Sequence, residues 1–433
     1  MKGWAPTLAA TPVLMWGVVY AVAAVPMQDY MMLAGFSHSQ LATGVLAVTA
    51  CIHWVIRRQQ HWRHDDTLIA RVCMLSALLL ATGFALDGWR SGVDEIRRWG
   101  LALVIGYVVY VVPQRWVHLR LLLVVLVLAP AAEALFAIVQ SWRGVGPAAF
   151  GIAGTGMTRA FGTIGQPNSF AGYLNGAWPL VLVLSLWAWQ HRVWWRWLVS
   201  VAFVLIVTAL ALSFSRGAWI GALAGLLTMM WLIAGIWRVA AAMVVVSAVV
   251  VLAGGWQFIP APLGPRLGSA TQIVNAPDIQ RDDAQQRPDV YAAVERAAQF
   301  TAGVNMWRLA PLTGVGPGSY SRVYPTVAYN GWWISRGHAH NAYVQIAAEQ
   351  GVFGLLAYIG LWLVQVRRAA RGLSQWGMVR WLAIGACGTA VAVAVHECFE
   401  YLQVHYLPLH TAAVLALAGV VQQVSPPPQE GES

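Results

Sequence analysis

The sequence predicts an all-α protein that crosses a membrane many times. The chain of 433 residues is 59% hydrophobic and only 10% charged, whereas soluble domains carry roughly 25% charged residues. Its 24 tryptophans fit a membrane protein, because indole rings favour the headgroup region. The apolar segments are continuous runs and not the ten-residue alternations of a barrel, so the predicted spans are helices.

A spanning helix needs about 20 mostly apolar residues, and about twelve segments approach that length. Together they predict a single integral membrane domain over residues 1–433. The first apolar run lacks the cleavage site expected of a signal peptide. The predicted spans are 5–25, 40–57, 67–87, 98–114, 119–141, 169–190, 196–214, 217–237, 239–257, 341–366, 379–398 and 402–422.

Arginine distribution orients the predicted bundle, because cytoplasmic connections are enriched in basic residues. The opposite side then carries near-neutral connections and one large loop, 258–340, between spans nine and ten. The net charge is +10, but the arginines are spread among the loops, so no nucleic-acid partner is predicted. The basic connections assigned to the cytoplasm are 57–64, 114–120, 190–196, 237–238 and 367–372.

The large loop contains a predicted helix. Its first part is rich in Pro, Gly and Asp and is typical of irregular chain. From Asp289 to Arg308 the apolar residues recur at helical spacing, and "PLTGVGPGSY" (311–320) then ends the helix in a turn. We expect this helix to lie across the outer mouth of the bundle. Its predicted apolar face consists of Val290, Val294, Ala297, Thr301 and Val304.

Three arginines on the outer side run against the positive-inside bias. Arg159 precedes span six, Arg216 lies in the short hairpin "SFSRGAW" (213–219), and Arg296 lies in the loop helix. Guanidinium groups bind phosphate oxygens in bidentate fashion and stay charged at every relevant pH. The pattern therefore favours a clamp for a pyrophosphate at the outer leaflet, with a snorkelling membrane anchor as the alternative for Arg216.

The segment "GHAHN" (337–341) places His338, His340 and Asn341 at the start of span ten. A single histidine at a helix end is usually structural, but the His-x-His-Asn pattern adds an amide that can fix a ring tautomer. A neutral imidazole accepts a proton from an attacking sugar hydroxyl. We therefore expect a catalytic base here.

Metal and cofactor sites are not predicted. The two histidines lack a third ligand at a telling spacing, and Asp282 and Asp283 are adjacent rather than separated by one residue. Glu133 is predicted to be a buried, hydrogen-bonded carboxylate. Glu397 and Glu400 are interpreted as a solvated helix end, with orientation of a histidine or positioning of an acceptor as the alternatives. The four cysteines have no CxxC spacing and are interpreted as small core residues.

These motifs resemble the O-antigen ligase (WaaL) family. His340-Asn341 followed by nine residues and Gly351-x-x-Gly354 is similar to the ligase pattern. "SRGAW", "PLTGVGPGSY" and "RAFGTIGQPN" (159–168) resemble the wider superfamily, which includes O-antigen polymerases and protein O-oligosaccharyltransferases.

The resemblance implies a GT-C-like, inverting, metal-independent glycosyltransferase in the bacterial inner membrane, with its active site facing the periplasm. Its donor would be a glycan on undecaprenyl pyrophosphate and its acceptor lipid A–core oligosaccharide, with membrane lipids as surroundings and no cofactor. His340 would be the base, with His338 beside it supporting the base or binding the acceptor. The pyrophosphate would be held by Arg216, Arg296 and Arg159, with Asn341, Gln166 and Asn168 as supporting residues.

Other acceptors and one other class of protein stay open. "GQPNSFAGYLN" (165–175) is closer to the branch that glycosylates serine or threonine of pilin-like proteins, although a periplasmic C-terminal region is not expected after residue 425. A polymerase would pass the glycan to another repeat unit. A transporter or lipid flippase would carry ionisable residues in mid-span and internal repeats, and the sequence favours this class least.

Overall fold

The computed structural model describes residues 13–27, 67–111, 115–233 and 288–422, except 87, 330 and 406. It also describes short pieces at 32–33, 36–37, 41, 44–45, 238 and 242. The predicted spans 40–57 and 239–257 lie almost entirely outside the described residues. Asp282, Asp283 and Cys51 also lie outside the described residues.

Helices dominate the described part of the chain. A pair of two-residue antiparallel strands, β1 (Met32–Leu33) and β2 (Phe36–Ser37), is the one small departure from the all-α prediction there. Short 3₁₀ turns lie at Val25–Met27, Ala148–Phe150 and Arg371–Ser374. The α-helices are α1 Val13–Ala23, α2 Leu68–Gly83, α3 Arg90–Val111, α4 Trp116–Trp142, α5 Pro167–Gln190, α6 Arg196–Leu212, α7 Arg216–Ile233, α8 Pro288–Leu309, α9 Tyr320–Val327, α10 Ala342–Ala370, α11 Gly377–His396 and α12 Leu407–Val421.

The helices support a multi-pass membrane protein but not the count of twelve spans. Five of the described helical segments are long and apolar enough to cross a membrane: 116–142, 167–190, 216–233, 342–374 and 377–396. Helices α2, α6 and α12 are apolar but shorter. The twelve spans, and the division into one membrane domain with a loop at 258–340, therefore stay predictions.

Two helices begin at residues other than the first residues of the spans predicted for them, each for a physical reason. Helix α3 begins at Arg90 and not near 98, because its charged first turns pair internally, Asp94 with Arg97 and Glu95 with Arg98. The span predicted at 402–422 begins only at Leu407. The chain between α11 and α12 turns back, and this turn carries two glutamates that face inward.

Helix α8 lies where the sequence predicts a loop helix, but its buried face is shifted. Val294 is buried as expected, whereas Ala297, Thr301 and Val304 are only half-buried. The buried stripe instead continues through Ala298, Ala302 and Met306. The cysteine interpretation is also wrong in part: Cys387 is buried, but Cys73 and Cys398 are exposed.

Helix α5 is the centre of the described bundle. It contacts α4, α6, α7, α11 and α12, and most of its residues are buried. The N-termini of α5, α7 and α10 meet the C-termini of α6 and α11 at one end of the bundle. We call this the site end.

Glycines let α7 approach α11 closely. Gly217, Gly221 and Gly225 recur every four residues along α7, on the side that faces α11. A methyl group at Gly221 would collide with the carbonyl oxygen of Ala392, and one at Gly225 would lie 2.8 Å from the carbonyl oxygen of Gly388. Small residues at this spacing allow two membrane helices to pack backbone to backbone. The packing brings the N-terminus of α7 against the turn after α11.

A kink in α10 anchors the loop that precedes α9. Gly351 has φ 65° and interrupts the helix, so nearby carbonyl groups are left without their helical partners. Backbone N–H groups of the 311–320 turn bind there: Val315 N donates to Ala348 O at 2.8 Å, and Gly316 N donates to Glu349 O at 3.1 Å. Val352 N in turn donates to Pro311 O at 2.9 Å. The predicted turn is confirmed, and its role is to dock onto α10.

Close packing at Gly221 yields a stability prediction. We expect Gly221→Ala to lower the free energy of unfolding by about 1–3 kcal/mol, because an added methyl group forces apart two packed helices. Gly360→Ala on α10 is the matched control, since nothing lies within 4 Å of the position that its methyl group would occupy. Thermal unfolding of the purified variants in detergent measures the difference. Equal melting temperatures for the two variants would contradict the packing argument.

Candidate active site

The histidines lie in an extended turn directly before α10. His340 has φ 52°, a left-handed conformation that few residues other than glycine adopt. Its backbone N–H donates to His338 Nδ1 at 3.2 Å, and Ala339 N donates to Gln345 Oε1 at 2.8 Å. These bonds hold the strained turn in place, so both imidazole rings have fixed positions.

Asn341 caps α10 and ties it to the turn after α11. Its side-chain oxygen accepts from Val344 N at 2.9 Å, and its Nδ2 donates to the carbonyl oxygen of Cys398 at 2.9 Å. Ala342 N donates to Glu397 O at 2.8 Å. The expected bond from Asn341 to a histidine ring is absent from the described contacts. Asn341 instead fixes the backbone that follows His340.

Glu400, interpreted from the sequence as a solvated helix end, is the buried centre of the site. Glu400 is only 5% exposed to solvent. Oε1 lies 3.0 Å from His340 Nδ1 and 3.5 Å from His338 Nε2. Oε2 accepts from Asn168 Nδ2 at 2.6 Å and lies 4.0 Å from the Arg296 guanidinium. We call Glu400, His338, His340, Asn168 and Arg296 the Glu400 cluster.

The cluster keeps Glu400 ionised. Burial acts to raise the pKa of its carboxyl group, but the hydrogen bond from His340 and the neighbouring basic groups, Arg296 among them, outweigh burial and hold the pKa well below its usual range. A buried carboxylate with donors on both oxygens stays negative. Glu400 therefore acts as an acceptor for the histidines at neutral pH.

Hydrogen-bond partners assign the tautomers of both histidines. His338 Nδ1 accepts the backbone N–H of His340, so the proton of its neutral ring is on Nε2 and points to Glu400. Burial lowers the pKa of His338 to about 4, although Glu400 opposes that shift. His340 directs Nδ1 to the carboxylate, so Nδ1 carries its proton and Nε2 of the neutral ring has a free lone pair. That nitrogen is suited to accept a proton from another molecule.

Glu397 is also buried and not solvated. Its carboxylate accepts from Tyr358 Oη at 2.5 Å and from Gln403 Nε2 at 2.6 Å. Burial raises the pKa of Glu397 to about 7, although both hydrogen bonds oppose the shift. Glu397 therefore faces the bundle interior, while Glu400, three residues later, faces the histidines.

Arg159 belongs to the same network through Asn168. Its Nε donates to Ser213 O at 2.8 Å, and one of its terminal nitrogens donates to Asn168 Oδ1 at 2.9 Å. Asn168 thereby links Arg159 to Glu400, since its oxygen accepts from Arg159 and its nitrogen donates to Glu400. Arg159 thus joins the loop before α5 to the end of α6.

Helix α4 fixes the loop that carries Arg159. Glu133 is buried and accepts from Thr163 N at 2.6 Å, as the sequence predicts for a hydrogen-bonded carboxylate. Gln140 accepts from Gly162 N at 3.0 Å, and Ser141 donates to Thr158 O at 2.5 Å. Three side chains of one helix thus hold the 158–163 backbone.

Arg216 and Gln166 are the two other predicted site residues outside the Glu400 cluster. Arg216 is the first residue of α7, and the neighbouring Gly217 packs against His396 and Phe399. Arg216 thus lies at the site end, near Ser213. Gln166 precedes α5, is exposed, and makes no side-chain cap bond there. Within the described contacts it does not join the Glu400 cluster.

The loop segment after α9 holds α8 in position. Arg336 binds Glu295 at 2.6 Å, and Arg336 N donates to Gln299 Oε1 at 3.1 Å. Gln299 Nε2 donates to Ile334 O at 3.1 Å. Glu295 and Gln299 flank Arg296 on α8, so these bonds set the position of its guanidinium group relative to Glu400.

His338, His340 and Glu400 also have the composition of a metal site, with ligand atoms within 4.8 Å of one another. Sequence reasoning missed this trio because Glu400 is 60 positions from His340 in the chain. Two contacts oppose a metal ion. His338 would need to move its proton to Nδ1, which faces the N–H of His340, and the Arg296 guanidinium lies 4.0 Å from the carboxylate.

A comparison with protein families confirms the resemblance seen in the sequence. The family described as O-antigen ligase matches residues 201–359, so this part of the chain is similar to that family. Arg216, Arg296, His338 and His340 lie within the matched region, whereas Arg159, Asn168 and Glu400 lie outside it. No curated protein matches the chain.

The bridge made by Arg159 yields a prediction about stability. We expect Arg159→Lys to lower the free energy of unfolding by about 1–3 kcal/mol, because an ammonium group cannot reproduce both guanidinium bonds and leaves a buried acceptor unpaired. Arg143→Lys, at an exposed position after α4, is the control. Thermal unfolding compares the two, and an unchanged melting temperature for Arg159→Lys would argue against the bridge.

The pKa of His338 yields a prediction about pH. The folded-state pKa, about 4, lies below the ordinary value of about 6.5. The unfolded chain therefore binds the extra proton between those values, and stability falls as pH drops through this window, by at most about 1.4 kcal/mol per pH unit. His338→Gln keeps an acceptor but cannot titrate. Melting temperatures at pH 7.5, 6 and 5 should fall more steeply for the native protein than for the variant; parallel curves would contradict a neutral His338.

Proposed function

Because residues 201–359 match the O-antigen ligase family, we propose that this protein transfers a glycan from undecaprenyl pyrophosphate to lipid A–core oligosaccharide. The transfer takes place at the periplasmic face of the bacterial inner membrane, inverts the anomeric centre and uses no metal ion. The observation that carries the proposal is the Glu400–His340 pair, in which the carboxylate binds Nδ1 of the ring and leaves Nε2 to accept a proton, while the Arg296 guanidinium lies 4.0 Å from the same carboxylate.

In the proposed reaction, His340 Nε2 takes the proton of the acceptor hydroxyl as its oxygen attacks the anomeric carbon of the donor sugar. The bond from that carbon to the pyrophosphate oxygen breaks, and its electron pair leaves with the pyrophosphate. Attack from the face opposite the leaving group inverts the centre. Glu400 stabilises the imidazolium that forms on His340, in the way a buried carboxylate orients and supports a histidine base.

Arginines stabilise the charge that develops on the leaving pyrophosphate. Arg296 lies in the Glu400 cluster, and Arg216 begins α7 at the same end of the bundle. Arg159 adds positive charge near Ser213 and holds Asn168, which donates to Glu400. Fixed cations that face developing negative charge lower the barrier without reorganisation at the moment of reaction. His338 supports the base through Glu400.

Two acceptors compete with lipid A–core. The segment 165–175, which begins α5 and supplies Asn168, is similar to the branch that glycosylates serine or threonine of pilin-like proteins. A polymerase would use another lipid-linked repeat unit as acceptor. Only the acceptor differs among these activities; the donor chemistry and the base are the same.

The function is tested with purified protein, a defined undecaprenyl-pyrophosphate glycan and rough lipopolysaccharide that lacks O-antigen, in the presence of EDTA. We expect modified lipopolysaccharide from the native protein. Parallel reactions contain a serine-rich pilin protein or a second repeat unit on its lipid carrier. Product only in one of those reactions would replace the ligase assignment by the corresponding transferase, and loss of product on adding EDTA would contradict the metal-independent reaction.

Site variants then test the roles of His340 and Glu400. His340→Ala and Glu400→Gln should each lower kcat by about 10²–10⁴-fold, the usual contribution of a positioned base, with little change in KM for the donor. His191→Ala, next to the opposite end of α5, is the control and should keep native kcat. Native turnover by His340→Ala would mean that this ring is only a helix-end residue.

A further inference from the structure

The second half of α8 runs beside the first half of α10, in the same direction. A methyl group added at Gly303 would lie 2.8 Å from a side-chain carbon of Val344. Further along, Val352 N donates to Pro311 O at 2.9 Å. Both contacts advance by eight positions, from 303 to 311 in one segment and from 344 to 352 in the other. The end of α8 therefore descends along α10, away from the head of that helix.

This descent carries the turn after α8 to membrane depth. Helix α10 has 29 residues, so at 1.5 Å per residue it is about 44 Å long, more than the roughly 30 Å of a hydrocarbon core. Arg367, exposed near its far end, marks one edge of that core, because a charge avoids hydrocarbon. Val352 lies 15 positions before Arg367, which is about 23 Å along the helix. Pro311, which binds Val352, thus lies within the thickness of the core measured from that edge.

The exposed surface of this segment is apolar and continues the lipid-facing side of α10. The segment that contains α10 is long and apolar enough to cross a membrane, and its large exposed side chains include Phe353, Leu356 and Leu363. Leu309 and Leu312 are 57% and 58% exposed. Phe353 N donates to Leu312 O at 3.4 Å, so the two apolar surfaces meet. A continuous surface of this kind fits acyl chains better than water.

The residues before the two leucines are of types that suit the boundary of a membrane. Trp307 is half-buried, and its indole nitrogen donates to Pro311 O at 3.1 Å. Arg308 is exposed beside it and binds Asn305 at 3.3 Å. Indole rings favour the headgroup region, and an arginine stem lies along apolar surface while its charge reaches phosphate. The segment thus has boundary residues first and hydrocarbon-facing leucines after them, the order expected of a chain that enters a leaflet.

The kink of α10 supplies what such a turn needs. Irregular backbone at membrane depth is tolerated only where protein satisfies its polar groups. Gly351, at φ 65°, leaves the carbonyl oxygens of Ala348 and Glu349 open to accept from Val315 N at 2.8 Å and from Gly316 N at 3.1 Å. A turn in water would not need these acceptors, because water would take their place. The kink and the apolar surface are therefore two independent signs of the same location.

We propose that residues 307–312, at the junction of α8 and its turn, insert into the bilayer leaflet at the site end and contact its acyl chains. The partner of this apolar surface is lipid and not a second protein, because the surface is continuous with the lipid-facing side of a membrane span. The insertion is independent of the reaction proposed above. It holds α8, and with it Arg296, at a set height relative to the membrane core.

The accessibility of a spin label tests the insertion. One residue at a time is replaced by p-acetylphenylalanine, and a ketone-reactive nitroxide is attached to it, so the native cysteines need no change. The labelled positions are Leu312, Leu356 on the lipid-facing side of α10, and Ala292, which is exposed near the start of α8. Each full-length protein is placed in nanodiscs of phosphatidylethanolamine and phosphatidylglycerol. Power saturation then gives the accessibility of the label to oxygen, which concentrates among acyl chains, and to a nickel chelate, which stays in water.

We expect the ratio of oxygen to nickel accessibility at Leu312 to match that at Leu356 and to exceed that at Ala292 by about threefold or more. A ratio at Leu312 equal to that at Ala292 would place the turn in water and overturn the proposal. Low accessibility to both reagents would also overturn it, because protein and not lipid would then cover the surface. If thermal unfolding shows that the Leu312 variant is not folded, a label at Leu309 repeats the measurement with the same two outcomes.

Discussion

The arrangement of the site depends on one ionised carboxylate that is removed from water. Transfer of a carboxylate into a protein interior costs several kcal/mol unless donors and opposite charges surround it. For Glu400 those partners come from distant parts of the chain: Asn168 from α5, Arg296 from α8, and His338 and His340 from the turn before α10. Four segments must therefore converge before the charge is tolerated, and their convergence defines the site.

Much of the surrounding fold serves to bring these segments together. The glycines of α7 permit close contact with α11, so that the turn bearing Glu400 lies against the start of α7. Three side chains of α4 hold the loop that presents Arg159, and Arg159 in turn holds Asn168. The bonds among Glu295, Gln299, Arg336 and the 334–336 backbone hold α8 in the same way. The carboxylate of Glu400 is thus the common partner of local features that lie far apart in the sequence.

The sequence predicts the helical class, most helix positions and the residues that carry charge at the site end. These follow from local properties: apolar length for α4, α5 and α11, glycine and proline punctuation for the 311–320 turn, and arginines in connections that the sequence assigns to the outer side. For Glu400, such reasoning favours a solvated helix end and gives orientation of a histidine, the role that the structure supports, only as an alternative. Whether a carboxylate after a helix is solvated or buried depends on partners as far as 232 positions away, and no local pattern records them. The same holds for Asn341, whose partner Cys398 lies 57 positions away, and for the side of α8 that packs against α10.

The kink at Gly351 has a mechanical consequence. The 311–320 turn binds the backbone of α10 on both sides of the kink, and that turn continues from the end of α8. Arg296 on α8 and His340 at the head of α10 are therefore attached to one frame by backbone bonds, independently of their side-chain contacts. A displacement of either element is therefore transmitted to the other, so Arg296 and His340, to which the proposed reaction assigns the leaving group and the acceptor, move together.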